Sequence, residues 1–167
     1  EYKDKITVQY AGKFRQMTKY RGFACNIIYE IYKDGIIHVS LQAEPYGDLC
    51  PVLPRFGFIV PIKKNYDSIS WFGRGPKESY CDCVCNAPVG LYESKIENTY
   101  TIFDMPQDSG NHENTTFVRT LSNDGVGLCV SGQDEFAFSF HDFTIESLDN
   151  AQHKNELKKD PNYNYLY

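Results

Sequence analysis

The stretch Ile27–Ala43, IIYEIYKDGIIHVSLQA, decides how the rest of the chain is interpreted. On both sides of Asp34-Gly35, apolar side chains recur at every second position, which is the pattern of a half-buried β-strand. An Asp-Gly pair favours a tight turn, because glycine readily adopts the positive φ angles that such a turn requires. The stretch therefore predicts an antiparallel hairpin.

Alternation of the same kind predicts further strands at Ile6–Tyr10, Phe56–Val60, Tyr100–Phe103, Phe117–Leu121 and Gly127–Ser131. Pro61 marks the edge or the end of its strand, since proline has no N–H to donate to a ladder. The pattern gives way to Gly, Pro, Cys and charged residues over 73–94, which indicates a long loop. A helical pattern occurs only over 144–159 and supports one or two turns. Many strands with so little helix predict an all-β antiparallel sandwich over 1–167 as a single domain.

Composition and charge exclude several classes of protein. The 167 residues are 15% aromatic, with 13 Tyr and 11 Phe, so the chain has enough apolar surface to fold. Seventeen basic against 22 acidic residues give a net charge of −5, which argues against binding to nucleic acid or to an anionic membrane. We also expect no membrane span, because no run of eighteen apolar residues occurs.

The two ends suggest a piece of a longer protein. The chain opens on Glu1 without an initiator methionine. It closes on Tyr163-Asn164-Tyr165-Leu166-Tyr167, which has the alternation of a strand that is beginning.

Six cysteines occur, at positions 25, 50, 81, 83, 85 and 129. The run Cys81-Asp82-Cys83-Val84-Cys85 has the composition of a metal site, but in a strand residues i and i+2 lie roughly 6.6 Å apart. Two thiolates on one zinc ion must come closer than about 4.6 Å, and the Cβ atoms of a disulfide lie about 3.8 Å apart. Only a tight turn would bring these cysteines together, so we expect reduced thiols and no metal.

The most distinctive motif is WFGRGPKESYCD over 71–82. Two glycines permit an unusual backbone path and a proline fixes its exit, so we expect a rigid corner with a buried Trp71 as its anchor. Glu78 is expected to bond loop amides, and its alternation with Tyr80 and Asp82 predicts that the three side chains point to one side. The structural motif therefore comprises Trp71, Gly73, Gly75, Pro76, Glu78, Tyr80 and Asp82.

This motif resembles the Trp-x-Gly-x-Gly-Pro-x-Glu-x-Tyr-x-Asp signature of the C-terminal region of bacterial β-galactosidases of glycoside hydrolase family two, the small-chain region or domain five. Further matches follow in order at Leu53–Gly57, Pro106–His112, Gly127-Leu128, Phe138-Ser139 and Leu148–Leu157. One departure concerns Cys83, which stands where the family usually has an arginine, so an expected ion pair or loop anchor is missing.

The resemblance implies a truncated antiparallel super-sandwich similar to galactose mutarotase. It implies a non-catalytic domain of a retaining, cytoplasmic enzyme that hydrolyses terminal β-D-galactosides such as lactose. This segment alone is expected to be inactive, because the two catalytic Glu residues and the Mg²⁺ and Na⁺ sites of the family lie in a separate TIM barrel. We therefore assign no catalytic residue and no cofactor here, and expect the barrel, the galactoside and other copies of the full enzyme as partners.

Two residues are candidates for contact with the sugar. By the resemblance, Tyr165 reaches the sugar platform, with Tyr163 and Tyr167 as nearby alternatives. The alternation of these three tyrosines is equally typical of a half-exposed strand. His112 follows a glycine-containing turn and is either an exposed loop anchor or a sugar contact. The alternative function is a free-standing carbohydrate-binding or aldose-epimerising β-sandwich, which would need its own acid and base near the sugar ring.

Overall fold

A computed structural model of the chain describes residues 4–15, 18–49, 52–122 and 124–167. The chain divides into two compact units, Glu1–Phe56 and Gly57–Tyr167. The expectation of one domain over 1–167 stays a prediction.

The first unit is a three-stranded antiparallel meander. Its strands follow the order β1-β2-β3 and are β1 (Lys5–Arg15), β2 (Gly22–Tyr32) and β3 (Ile37–Tyr46). The predicted hairpin is confirmed, because Ile27 pairs with Leu41 and the Gly35 amide donates to the Tyr32 carbonyl at 3.1 Å. Gly35 has a φ of 90°, as the turn requires.

The second unit contains two antiparallel sheets. One follows the order β4-β10-β9 and consists of β4 (Val60–Lys63), β9 (Phe140–His141) and β10 (Tyr163–Leu166). The other follows the order β6-β5-β7-β8 and consists of β5 (Ser68–Arg74), β6 (Val89–Lys95), β7 (His112–Leu121) and β8 (Gly127–Phe138). The strands β7 and β8 form the predicted second hairpin, although Asn123 of its turn lies outside the described residues.

A single apolar core holds the two sheets of this unit face to face. The smaller sheet contributes Ile62, Phe140 and Leu166, and the larger contributes Ile69, Trp71, Val118 and Phe138. Burying the apolar faces of two sheets against each other is what defines a sandwich. The predicted all-β, sandwich-like fold is therefore confirmed.

Helical structure is short, as the sequence predicts. The helix α1 (Ile145–Asn150) begins after Thr144, whose side chain accepts a 3.1 Å hydrogen bond from the Ser147 amide. A 3-10 turn spans Ile96–Asn98. Neither element is long enough to cross a bilayer, and the described ranges contain no other helix.

The strand predicted at Phe56–Val60 is wrong. The strand in this region begins only at Val60, and Phe56, Phe58 and Ile59 remain 43–60% exposed without a ladder partner. Pro61 lies inside β4, opposite Tyr165. It is tolerated there because β4 is an edge strand, which confirms one of the two expectations for this proline.

Two predictions around the central loop need correction. The loop expected over 73–94 is shorter, because β5 continues to Arg74 and β6 already begins at Val89. The strand expected at Tyr100–Phe103 is absent. The Thr101 amide and carbonyl instead bond the Ser109 hydroxyl, at 3.2 and 2.8 Å, so a side chain satisfies the groups that a ladder would have used.

Candidate functional site

The centre of the candidate site is the Arg74 carbonyl, which receives two ring N–H groups. The Trp71 Nε1 donates to it at 2.9 Å, and the His112 Nδ1 lies 3.0 Å from the same oxygen. Since a carbonyl only accepts, the His112 Nδ1 must carry the proton. Trp71 lies inside β5 and is 1% exposed, which confirms its predicted burial.

His112 is the first residue of β7 and is also 1% exposed. Its ring stacks on Phe138 with centroids 5.1 Å apart. Burial lowers the pKa of His112 to about 4, partly opposed by the Arg74 carbonyl. Its Nε2 has no hydrogen-bond partner. The expectation of an exposed loop anchor is therefore wrong, and contact with a sugar stays a prediction.

Two glycines of the motif are needed for close packing. A Cβ at Gly73 would lie 2.8 Å from the Thr115 Cα, and one at Gly75 would lie 2.9 Å from the Trp71 ring. The peptide bond between Gly75 and Pro76 is cis. Neither Gly73 nor Gly75 has a positive φ, so what these two positions require is the absence of a side chain.

Arg74 is hydrogen-bonded to the loop over 75–88. Its Nε donates to the Asn114 Oδ1 at 2.6 Å, and one terminal nitrogen donates to the carbonyls of Val84 and Ala87 at 3.3 and 3.1 Å. Asn114 adopts a φ of 50°, a left-handed conformation that asparagine tolerates better than most residues. One guanidinium therefore joins β5, the loop and β7.

Glu78 and Ser79 connect the loop to the segment before β7. The Gly110 amide donates to the Glu78 carboxylate at 2.7 Å, which confirms that Glu78 bonds a loop amide. Ser79 is fully buried and its amide donates to the Asn111 carbonyl at 2.7 Å. Its hydroxyl accepts from the Glu113 amide at 2.9 Å. Two motif segments that are distant in sequence therefore meet here.

The alternation predicted for Glu78, Tyr80 and Asp82 is not maintained. Tyr80 and Cys83 exchange backbone hydrogen bonds of 3.2 and 2.8 Å, so Asp82 lies in a tight turn rather than in a strand. Cys25, Cys81, Cys83, Cys85 and Cys129 are free thiols, and Cys50 lies outside the described residues. Nowhere in the described ranges do three or more His, Cys, Asp or Glu side chains form a group that could hold a metal ion.

Tyr165 lies in the other sheet, in the central strand β10. Its hydroxyl donates to the Asp160 carboxylate at 2.5 Å. This hydrogen bond, with burial, raises the pKa of Tyr165 to about 12. The alternation of the C-terminal tyrosines does reflect a strand, because Asn164 and Leu166 between them are buried.

Beside this strand lies a buried carboxylate that the sequence did not reveal. Asp142 is 5% exposed, accepts from the Tyr100 hydroxyl at 2.7 Å and pairs with the Lys159 Nζ at 3.0 Å. Burial acts to raise the pKa of Asp142, but the two hydrogen bonds and the charges of Lys159 and Lys64 together outweigh it, so the pKa is lowered. The partners are far apart in sequence, so no motif could have indicated them.

The structure thus brings His112 together with Trp71 and the glycine motif, and places Tyr165 on a different sheet. Sequence reasoning missed Arg74 and Asn114. Arg74 lies within the quoted motif, and asparagine is a residue type suited to positive φ, so both carried a weak signal.

Comparison with known proteins agrees with the motif. The family model described as the β-galactosidase small chain matches residues 1–167. A β-galactosidase of Kluyveromyces lactis is 35% identical over 84% of this chain, and one of Vibrio cholerae is 33% identical over 77%. A third, of Halalkalibacterium halodurans, is 29% identical over 82%. The chain spans only 12–14% of the length of these relatives. It belongs to the β-galactosidase small-chain family.

Proposed function

We propose that this chain is a non-catalytic part of a β-galactosidase that hydrolyses terminal non-reducing β-D-galactosides such as lactose. In this proposal it packs on a TIM barrel of the parent enzyme and helps to shape the sugar site. The parent enzyme acts in the cytoplasm as a homo-oligomer.

The observation that carries the proposal is the coverage of the relatives. The family model spans the whole chain, whereas the chain spans only 12–14% of β-galactosidases that match it. Most of each relative therefore lies outside the matched region and is available to supply the catalytic carboxyl pair. Retaining hydrolysis needs two such carboxyl groups about 5 Å apart.

The carboxyl groups of this chain give further support. A glycosidase needs one carboxylic acid whose pKa is raised, so that it is protonated when the leaving group departs. Glu30, Asp67 and Asp142 have lowered pKa values instead, and so do Asp104, Glu156 and Asp160. Hydrogen bonds and cationic neighbours hold these groups in the charged form, which suits a structural role.

For the sugar site, Tyr165 is the proposed platform residue. Its ring belongs to the central strand of a sheet and its hydroxyl is fixed by Asp160, so the aromatic face is held in one orientation. A rigid ring binds the apolar face of a sugar with little loss of conformational freedom. His112 remains the second proposed contact with the sugar. Because its ring is buried, this contact requires a conformational change in the parent enzyme that exposes the ring. The Mg²⁺ and Na⁺ ions are proposed for the barrel.

The test uses the complete β-galactosidase polypeptide that contains this chain. Glu78→Gln, Glu113→Gln and Asp142→Asn are made one at a time, and kcat on a chromogenic β-galactoside is measured together with the melting temperature. Each variant that remains folded should keep kcat within about tenfold of the unmodified enzyme. Loss of a general acid or base removes about 10²–10⁴-fold, so a loss of that size in a folded variant would contradict the non-catalytic role.

A further inference from the structure

Three of the described thiols lie on two consecutive tight turns. The first turn runs from Tyr80 to Cys83, which exchange backbone hydrogen bonds. The second runs from Val84 to Ala87, whose amide donates to the Val84 carbonyl at 3.2 Å. Cys81 and Cys83 lie in the first turn and Cys85 in the second, and all three are exposed. We call residues 80–87 the thiol loop.

The turns change the geometry that an extended chain would impose. In a strand, the Cα atoms of residues i and i+2 lie roughly 6.6 Å apart, and the side chains of these two residues extend in parallel. In a tight turn even the Cα atoms of residues i and i+3 lie within about 7 Å. The hydrogen bonds between Tyr80 and Cys83 make Cys81 and Cys83 the second and fourth residues of such a turn, so the backbone between them is bent rather than extended.

The base of the thiol loop is held independently of the thiols. Arg74 donates to the carbonyls of Val84 and Ala87, and the Ser79 amide bonds the Asn111 carbonyl at 2.7 Å. A covalent bond between two exposed thiols on the first turn would leave these contacts in place.

The other described cysteines lack this arrangement. Cys25 is buried in β2 at 7% exposure. Cys129 is exposed but lies in β8 opposite Arg119, in a regular ladder. These two residues provide internal controls for burial and for exposure alone.

We propose that the thiol loop is an oxidation site in which Cys81 and Cys83 form a disulfide by exchange with a low-molecular-weight disulfide such as oxidised glutathione. One thiolate attacks that disulfide, forms a mixed disulfide and releases one glutathione thiolate. The second cysteine thiolate then attacks the protein sulfur of the mixed disulfide and releases the second glutathione. The two cysteines are thereby oxidised and one oxidised glutathione is reduced to two glutathiones.

Reopening the proposed disulfide requires an external thiol. Attack by Cys85, the third exposed thiol within five positions, would only exchange one intrachain disulfide for another and leave the chain oxidised. Exposure also leaves the disulfide accessible to free glutathione, which makes the bond reversible rather than structural. The oxidised fraction of the thiol loop therefore follows the ratio of oxidised glutathione to the square of reduced glutathione.

The experiment equilibrates the complete polypeptide in glutathione buffers of increasing oxidised fraction, traps free thiols with an alkylating reagent at low pH and maps disulfides by peptide mass spectrometry. The expected product is an intrachain Cys81–Cys83 link with the loss of two hydrogen atoms, reversed by dithiothreitol. Cys83→Ser should lower the yield of any link within the thiol loop by at least about tenfold. Cys85→Ser and the control Cys129→Ser should form the link as the unmodified protein does.

Several outcomes would overturn the proposal. They are mixed disulfides with glutathione alone, dimers whose amount rises with protein concentration, or a Cys83→Ser variant that still forms a link between Cys81 and Cys85 at the original yield. All of these variants change exposed side chains, and circular dichroism establishes that each one is folded. Formation of the predicted link in Cys85→Ser also excludes Cys85 as an obligatory partner.

Discussion

The imidazole of His112 lies against the indole of Trp71, with ring centroids 4.4 Å apart, and both rings direct an N–H at the Arg74 carbonyl. The contact joins the middle of β5 to the start of β7 and fixes the backbone at the point where the glycine-rich corner begins. A buried pair of this kind has consequences for both stability and pH dependence.

Replacing Trp71 with Ala should lower the free energy of unfolding by about 3–5 kcal/mol, because the ring is 1% exposed and lies in the core shared by the two sheets. Thermal or urea unfolding measures the change. Trp71→Phe keeps a ring but loses the Nε1 hydrogen bond, so its loss should be smaller. An unchanged melting temperature in Trp71→Ala would show that the residue does not support the core.

Acid should destabilise the protein through His112. Its pKa is 6.5 in an unfolded chain and about 4 when the ring is buried. Between these values the unfolded chain binds a proton that the folded chain excludes, so the free energy of unfolding falls as the pH falls from 6.5 to about 4. The full effect is roughly 3 kcal/mol, and it is measured by urea unfolding across this range.

A matched pair of variants isolates this contribution. His112→Gln removes the titrating ring, so the variant should show a flatter dependence of stability on pH between 4 and 6.5. His153→Gln changes an exposed histidine and should retain the original dependence. Equal slopes in His112→Gln and the unmodified protein would exclude His112 as the source.

Gly73→Ala should destabilise the protein by roughly 1–3 kcal/mol, because the added methyl group would lie 2.8 Å from the backbone of Thr115. Gly57→Ala is the control, since a Cβ at Gly57 meets nothing within 4 Å. Both substitutions add one methyl group. The difference between the melting temperatures of the two variants therefore measures the cost of the close contact between β5 and β7. Equal effects would contradict a packing role for Gly73.

Tyr165→Ala in the complete enzyme should weaken galactoside binding at least severalfold, seen as a higher KM or inhibition constant, if the ring forms the proposed platform. Tyr165→Phe keeps the ring and loses the hydrogen bond to Asp160, so it should bind sugar nearly as well. Tyr163→Ala, in the same strand and 44% exposed, is the control. If all three variants bind like the unmodified enzyme, the platform assignment is wrong.

Local sequence patterns predicted the elements whose pairing is also local. The hairpin around Asp34-Gly35 and the short helix after Thr144 follow from alternation, turn residues and capping over a few positions. The failures at Phe56–Val60 and Tyr100–Phe103 have a different origin. Both stretches alternate correctly, but among the described residues no strand pairs with 56–59. The backbone of Thr101 is hydrogen-bonded to the Ser109 hydroxyl instead of to a strand. Alternation alone does not show whether a partner strand exists.

The candidate site was predicted only where a motif is contiguous. Trp71 and Glu78 lie within one stretch of twelve residues, and the burial of Trp71 and the amide contact of Glu78 were found as expected. The close packing at Gly73 and Gly75 was not predicted. Arg74 acts on Asn114 and Ala87, which are 40 and 13 positions away, and the Asp142–Tyr100 pair spans 42 positions. Such contacts depend on the folded topology and carry no periodic signal.

The central place of β10 has a consequence for biosynthesis. Strands β4 and β9 pair with β10 rather than with each other, and Asn164 of β10 donates to the Tyr66 carbonyl across 98 positions of sequence. Until residues 163–166 have left the ribosome, the smaller layer of the sandwich has no middle strand, and the core lacks Leu166. The nascent chain must therefore pass through a stage in which most of its strands exist but its core is open to water, when chaperones would protect it from aggregation.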